Sequence, residues 1–262
     1  MPLFLVHHHA FKCAGSSVAH ILNRNWPRRV LYVEHAQPDR RIGCASVRPF
    51  VDRDDYAALS SHLLTMPRRG EQLGHVHFAL VRDPLERVLS AYRFVQDRWA
   101  DGGFQRFRDE LEHQVASFQV RHLGVPADDP GDGWRCDPAA VPLGAGHVLI
   151  GLVERFEDSM FLLERRLAAH GCEFDGSYAR AHNVGTNPLR ELPDATIGEL
   201  RERNAEDYEL VRKVESALDG ELAAVDPDGA GRADFRRRCA ARAAIDEPYL
   251  GVDPGEWTYL DT

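Results

Sequence analysis

Long apolar runs are missing from this chain of 262 residues; none approaches the ~20 residues that cross a bilayer. The start, MPLFLVHHHAFKCAGSS, has no basic n-region and too short an apolar stretch for a signal peptide. The expectation is a soluble, cytoplasmic protein. Cysteine is sparse, with five widely spaced residues and no CxxC pair. That argues against a disulfide framework or a structural zinc site, and the thiols are expected to act as small buried hydrophobes. Positive charge is in deficit. A net charge of −9 argues against a nucleic-acid partner, which needs a basic surface. Lysine is nearly absent: of 32 basic residues only Lys12 and Lys213 are Lys. Arg serves almost everywhere a surface cation will do, so Lys hints at a place where a compact ammonium is wanted.

Hydrophobic residues make up 44% and charged residues 28%, an ordinary globular balance. The length fits a single domain over residues 1–262. Residues 2–9 read as a buried strand and AFKCAGSS as a tight turn. SVAHILNRNW reads as a helix, with apolar residues at Val18, Ile21, Leu22 and Trp26, and Ser16 or Ser17 as its cap. RVLYVEH follows as a second strand. Strand, turn, helix, strand is a βαβ signature and implies a parallel sheet.

Residues 36–55 read as loop, and DDYAALSSHLLTM as a short helix or an irregular segment. GHVHFALV reads as a strand feeding the helix RDPLERVLSAYRFVQDRW, with Pro84 in its first turn. Residues 104–123 continue as helix and 124–146 form a surface loop. HVLIGLV is a strand, and RFEDSMFLLERRLAAHG a helix ending at Gly171. After a loop over 173–196, residues 195–225 are helical, in one piece or two. The expected fold is α/β, a mainly parallel central sheet flanked by helices. It opens on a phosphate-binding strand–turn–helix of P-loop-like form.

Two segments carry chemistry. In HAFKCAGSSV, small residues let the backbone N–H groups from Cys13 to Ser17 approach an anion at a helix N-terminus, with Lys12 beside them. An ordinary strand-to-helix turn would look similar. No GxxxxGK[ST], GxGxxG or GxSxG occurs, so a Walker loop, a Rossmann fingerprint and a hydrolase elbow are all missing. In FALVRDPLERVLSAYRF, Arg82 lies where a strand gives way to a helix, the ligand-binding edge of α/β sheets, and Ser90 follows two turns on. An Arg fork and a hydroxyl can hold a phosphate. Arg82 and Asp83 acting only as helix caps is the alternative.

Together these segments resemble the sulfotransferases that use 3′-phosphoadenosine-5′-phosphosulfate, PAPS, in particular carbohydrate sulfotransferases related to heparan sulfate 2-O-sulfotransferase. Members often read HxPKTAGTS and RDPxERxxSxY. The resemblance extends to IGLVERFEDSMFLLERRL, HNVGTNP and NAEDYELV. Phe11, Cys13 and Ser16 depart from the family's Pro, Thr and Thr. The resemblance implies that Lys12 contacts the bridging oxygen between phosphate and sulfate. It implies that the turn through Cys13, Ala14, Gly15, Ser16 and Ser17 holds the 5′-phosphate, and that Arg82 and Ser90 bind the 3′-phosphate. The family generally needs no metal. The absence of a membrane anchor points to a bacterial-type enzyme.

The acceptor hydroxyl must lose a proton. His62 is the first candidate base, where the glycan branch has its base in a Gly-His pair and this chain has Ser61-His62. Glu34 is the rival, near the position of a catalytic Glu in tyrosyl-protein sulfotransferases. The expected acceptor is a carbohydrate, with a small-molecule natural product or lipid as alternative. A nucleotide phosphotransferase and a non-catalytic nucleotide-binding protein are more distant readings. His7, His8 and His9 alternate faces in a strand and cannot share one metal. Trp99, Phe104 and Phe107 read as core.

Overall fold

The computed structural model describes residues 3–37, 40–53, 55–68, 73–96, 103–124, 141–179, 192–245, 248–252 and 256–260. The first strand, β1 (Leu5–His8), is buried throughout. Helix α1 (Gly15–Asn25) follows it, then β2 (Val30–His35) and helix α2 (Cys44–Arg53). Strand β3 (Ala58–Ser61) precedes β4 (Val76–Val81), which runs into α3 (Pro84–Val95). Three short helices come next, α4 (Gly103–Glu110), α5 (Glu112–Val115) and α6 (Phe118–Leu123). Strand β5 (Val148–Leu152) and helix α7 (Phe156–Ala169) lead to α8 (Asp194–Arg203), α9 (Ala205–Val225) and α10 (Ala230–Ala243), and β6 (Trp257–Leu260) closes the order.

The six strands form one sheet in the order β5-β4-β1-β3-β2-β6, and every pairing is parallel. The expected α/β class and parallel sheet are therefore found. β4 and β5 are buried along their whole length, as helices on both faces require. The largest core cluster joins Val18, Ile21 and Leu22 of α1 to Phe78, Leu80, Ile150, Met160 and Leu163. A second joins Leu31, Val33 and Leu59 to Val47 of α2. A third seats Val88 and Leu89 of α3 against Phe107, Val115 and Leu200.

Several local expectations are corrected. The segment read as helix or irregular chain, DDYAALSSHLLTM, contains β3, a strand lying between β1 and β2. Ala58, Leu59, Ser60 and Ser61 have little strand propensity, but full burial between two neighbours overrides it. β1 and β2 are consequently not adjacent. Residues 36–55 contain helix α2, obscured by Pro49 in its interior. Residues 104–123 break into three helices, with Ser117 at φ 43 before the last. Ser16 and Ser17 do not cap α1: the helix begins at Gly15, after Ala14. The chain beyond 225 supplies both α10 and the edge strand β6.

Candidate functional site

Because all six strands are parallel, their carboxyl ends share one edge. β1 opens there into the turn at residues 9–14, β2 ends at Glu34 and His35, β3 leads to His62 and β4 to Arg82. Residues far apart in sequence thus meet at the edge where α/β folds bind ligands.

The turn is held in a costly backbone form. Lys12 and Ala14 have φ of 65 and 59, the left-handed region that non-glycine residues seldom enter. The Cys13 N–H closes the turn on Ala10 O at 3.1 Å, and the Ser17 N–H donates to Ala14 O at 3.0 Å. Ala14, Gly15 and Ser16 lie between them at the α1 N-terminus, where backbone N–H groups lack intrahelical acceptors. The Cys13 side chain is buried, and its thiol donates to Gln119 Oε1 at 3.6 Å. Burial pushes that thiol up to about 12, so it stays protonated.

Arg82, Lys12 and Arg93 gather beside the turn. Desolvation lowers the Lys12 pKa, and the Arg82 and Arg93 charges lower it further. Lys12 Nζ lies 4.5 Å from the Phe94 ring centroid and 5.8 Å from that of Phe11, two rings that meet edge to face. The Nε atoms of Arg82 and Arg93 are buried without a hydrogen-bond partner. Arg82 makes a loose contact with Glu86 at 3.5 Å. Asp83 caps α3 by accepting the Glu86 N–H at 2.9 Å, and Pro84 occupies its first turn. Glu86, Ser90 and Phe94 recur every four residues and share a helix face. Ser90 is half-buried.

Glu34 and His62, read from sequence as rivals, are partners. The His62 Nδ1 lies 2.8 Å from Glu34 Oε1, and the His62 backbone N–H donates to the same oxygen at 2.8 Å. With the proton on Nδ1 facing the carboxylate, Nε2 is left as the acceptor. The side chains are 32% and 13% exposed, so the pair is reachable from one side. Ser61 accepts the N–H groups of Leu63 and Leu64 on Oγ at 3.0 and 3.1 Å. It thereby fixes the bend that presents His62.

Three supporting residues escaped the reading of the sequence. Gln119, fully buried on α6, accepts the Arg82 N–H at 2.7 Å and donates Nε2–H to Arg82 O at 2.8 Å. It ties the Arg82 backbone to the Cys13 turn. Asp207 secures that helix by accepting the N–H groups of Gln119 and Val120 at 3.0 and 2.8 Å. Trp257 on β6 stacks on His62 with centroids 5.5 Å apart. No motif marks these residues, because each acts through a long-range contact. Arg93 alone carried a local signal, three residues after Ser90 on the same helix.

Phe107 is buried and packs with Tyr92 and half-buried Phe104, as read, while Trp99 lies outside the described residues. So do Cys136 and HNVGTNP. Cys13, Cys44 and Cys172 are buried and in no disulfide, and Cys239 is half-buried. Among the described residues no group of three or more His, Cys, Asp or Glu side chains could hold a metal ion, and no helix is long and apolar enough to cross a membrane.

No family model matches the chain. An uncharacterized protein of Archaeoglobus fulgidus is 28% identical over 246 residues, covering 81% of this chain and 96% of that protein.

Proposed function

We propose that this chain is a sulfotransferase that moves the sulfuryl group of 3′-phosphoadenosine-5′-phosphosulfate to an acceptor hydroxyl. The observation that carries the reading is a single sheet edge. It holds a cation group with two unpartnered guanidinium Nε atoms beside a strained helix-initiating turn, together with a carboxylate–imidazole pair. An anionic donor and a deprotonated acceptor oxygen are what such an edge serves.

In this reading the N–H groups at the start of α1 hold the 5′-phosphate, Arg82 and Ser90 hold the 3′-phosphate, and Lys12 faces the bridging oxygen. His62 Nε2 takes the acceptor proton while Glu34 stabilises the resulting imidazolium. A sulfur–oxygen bond forms to the acceptor as the bond to the bridging oxygen breaks. Lys12 meets the charge that develops on the leaving phosphate. Positioning and charge stabilisation supply the catalysis, by analogy with phosphoryl transfer. The acceptor is a carbohydrate, or alternatively a small-molecule natural product or lipid, and the enzyme works in the cytoplasm.

The test is transfer of labelled sulfate from PAPS to a panel of glycan, phenolic and lipid alcohols, with and without Mg²⁺. Metal-independent labelling of one acceptor class supports the reading. Turnover of ATP with Mg²⁺, and none of PAPS, replaces it with a phosphotransferase.

A further inference from the structure

His9 sits between the two halves of the site and has no part in the roles given above. Its ring stacks on His62 with centroids 3.9 Å apart and planes inclined by 28°. On another side it lies directly against Gly15, the first residue of α1. A Cβ placed on Gly15 would fall 1.5 Å from His9 Nε2 and 1.9 Å from Cδ2. Only a residue without a side chain lets the imidazole lie there. The ring stacks also on His7, at 5.3 Å.

The ring thus bridges the turn that would grip the 5′-phosphate and the base that would grip the acceptor. A sulfuryl group in transfer lies between those two ends, because an in-line displacement puts entering and leaving oxygens on opposite sides of sulfur. His9 is half-buried, and among the described residues its ring makes stacking contacts and no side-chain hydrogen bond. We propose that His9 is a further catalytic residue, donating a ring N–H to an oxygen of the sulfuryl group in transfer. This assignment rests on the sulfotransferase reading. Desolvation, with lesser effects from neighbouring His62, His7, His122 and Lys12, holds His9 well below the usual histidine range. It therefore remains a neutral imidazole with one N–H to give, and it does not add a second cation beside His62.

The experiment measures dissociation constants without acceptor, for PAPS and for its product adenosine 3′,5′-bisphosphate, in wild type, His9→Phe and His9→Gln. Turnover with an established acceptor is measured alongside. Phe keeps a flat ring against Gly15 and His62 but has no N–H, whereas Gln keeps an N–H without the ring. His9→Phe should weaken PAPS about tenfold, the size of one hydrogen bond to a charged group, and change bisphosphate binding by less than about twofold. Turnover should fall further in His9→Phe than in His9→Gln. Wild-type behaviour of His9→Phe overturns the assignment. Equal losses in both variants, or equal losses for both nucleotides, also overturn it, because the ring would then be only structural. If wild type binds neither nucleotide, the sulfotransferase reading itself fails.

Discussion

Arginine serves opposite purposes in two regions of this molecule. Around α7 and α10 the guanidinium groups are matched by carboxylates. Arg238 meets Glu164 at 2.6 Å and Asp175 at 2.7 Å, Arg232 meets Asp226 at 3.0 Å, and Arg236 meets Glu157 at 2.5 Å. Arg242 also pairs with Asp175. At the carboxyl edge of the sheet, Arg82 and Arg93 instead bear on Lys12, and Arg82 also lies 3.5 Å from Glu86. A paired cation fastens elements together. An ammonium crowded by guanidinium groups, as Lys12 is, holds its proton less tightly and is relieved by an anion. Composition does not separate these cases, and the triplet Arg236 to Arg238 looks more basic in sequence than the edge does.

The contrast can be broken by substitution. The largest effect is expected at the proposed base: His62→Ala should reduce turnover by about 10²–10⁴-fold with bisphosphate affinity nearly unchanged, as steady-state kinetics and calorimetry would read. Glu34→Gln should cost less, because it orients and stabilises His62 without touching the acceptor. Lys12→Ala should lower turnover by about 10²–10³-fold and also weaken PAPS binding, since its charge acts on both ground and transition states. Arg238→Ala is the matched control from the other region. It should lower Tm by about 2–6 °C and leave the bisphosphate dissociation constant unchanged. A large loss of nucleotide affinity in Arg238→Ala would erase the distinction between the two regions.

Acid sharpens the same contrast. Burial lowers His7 to about 3 and His8 to about 4, and His77 to about 2. An unfolded chain binds protons on these groups below ~6.5 and the folded chain does not, so stability is complete above that pH and declines toward the folded values. Each histidine contributes up to about 1.4 kcal/mol per pH unit across that window. Asp175 acts with the same sign but in a lower pH window. Hydrogen bonds from Ser177 and Arg242 outweigh its desolvation and lower it to about 2, so its contribution is present above 3.8 and is lost only below that. Hydrogen exchange at pH 5 should therefore show β1 and β4 opening before α7 and α10. Simultaneous loss of protection in both regions at pH 5 would contradict this order.

Part of the candidate site was legible because its sequence signals are local. Lys12 with Ala14 to Ser16, and Arg82 with Ser90, are short strings whose spacing carries meaning, and β1, β2, β4 and β5 announce themselves by runs such as VHFALV. β3 was not legible: AALSS has the composition of a helix, and its strand form comes from neighbours distant in sequence. The pairing of Glu34 with His62 was hidden for the same reason, since a separation of 28 in sequence says nothing about β2 and β3 lying side by side. Gln119, Asp207 and Trp257 act entirely through such contacts. Ser16 and Ser17 misled in the other direction: both are good cap residues, yet the left-handed Ala14 starts the helix ahead of them.

The proposed function requires the carboxyl edge to bind two phosphates, one at the turn and one at Arg82. The most direct measurement is calorimetric titration of adenosine 3′,5′-bisphosphate and adenosine 5′-monophosphate into wild type and Arg82→Ala. Wild type should bind the bisphosphate more tightly. Arg82→Ala should lose about 10–100-fold for it and little for the monophosphate, the size expected when a charged contact is removed. Equal losses for the two nucleotides, or no preference for the bisphosphate in wild type, would contradict the account.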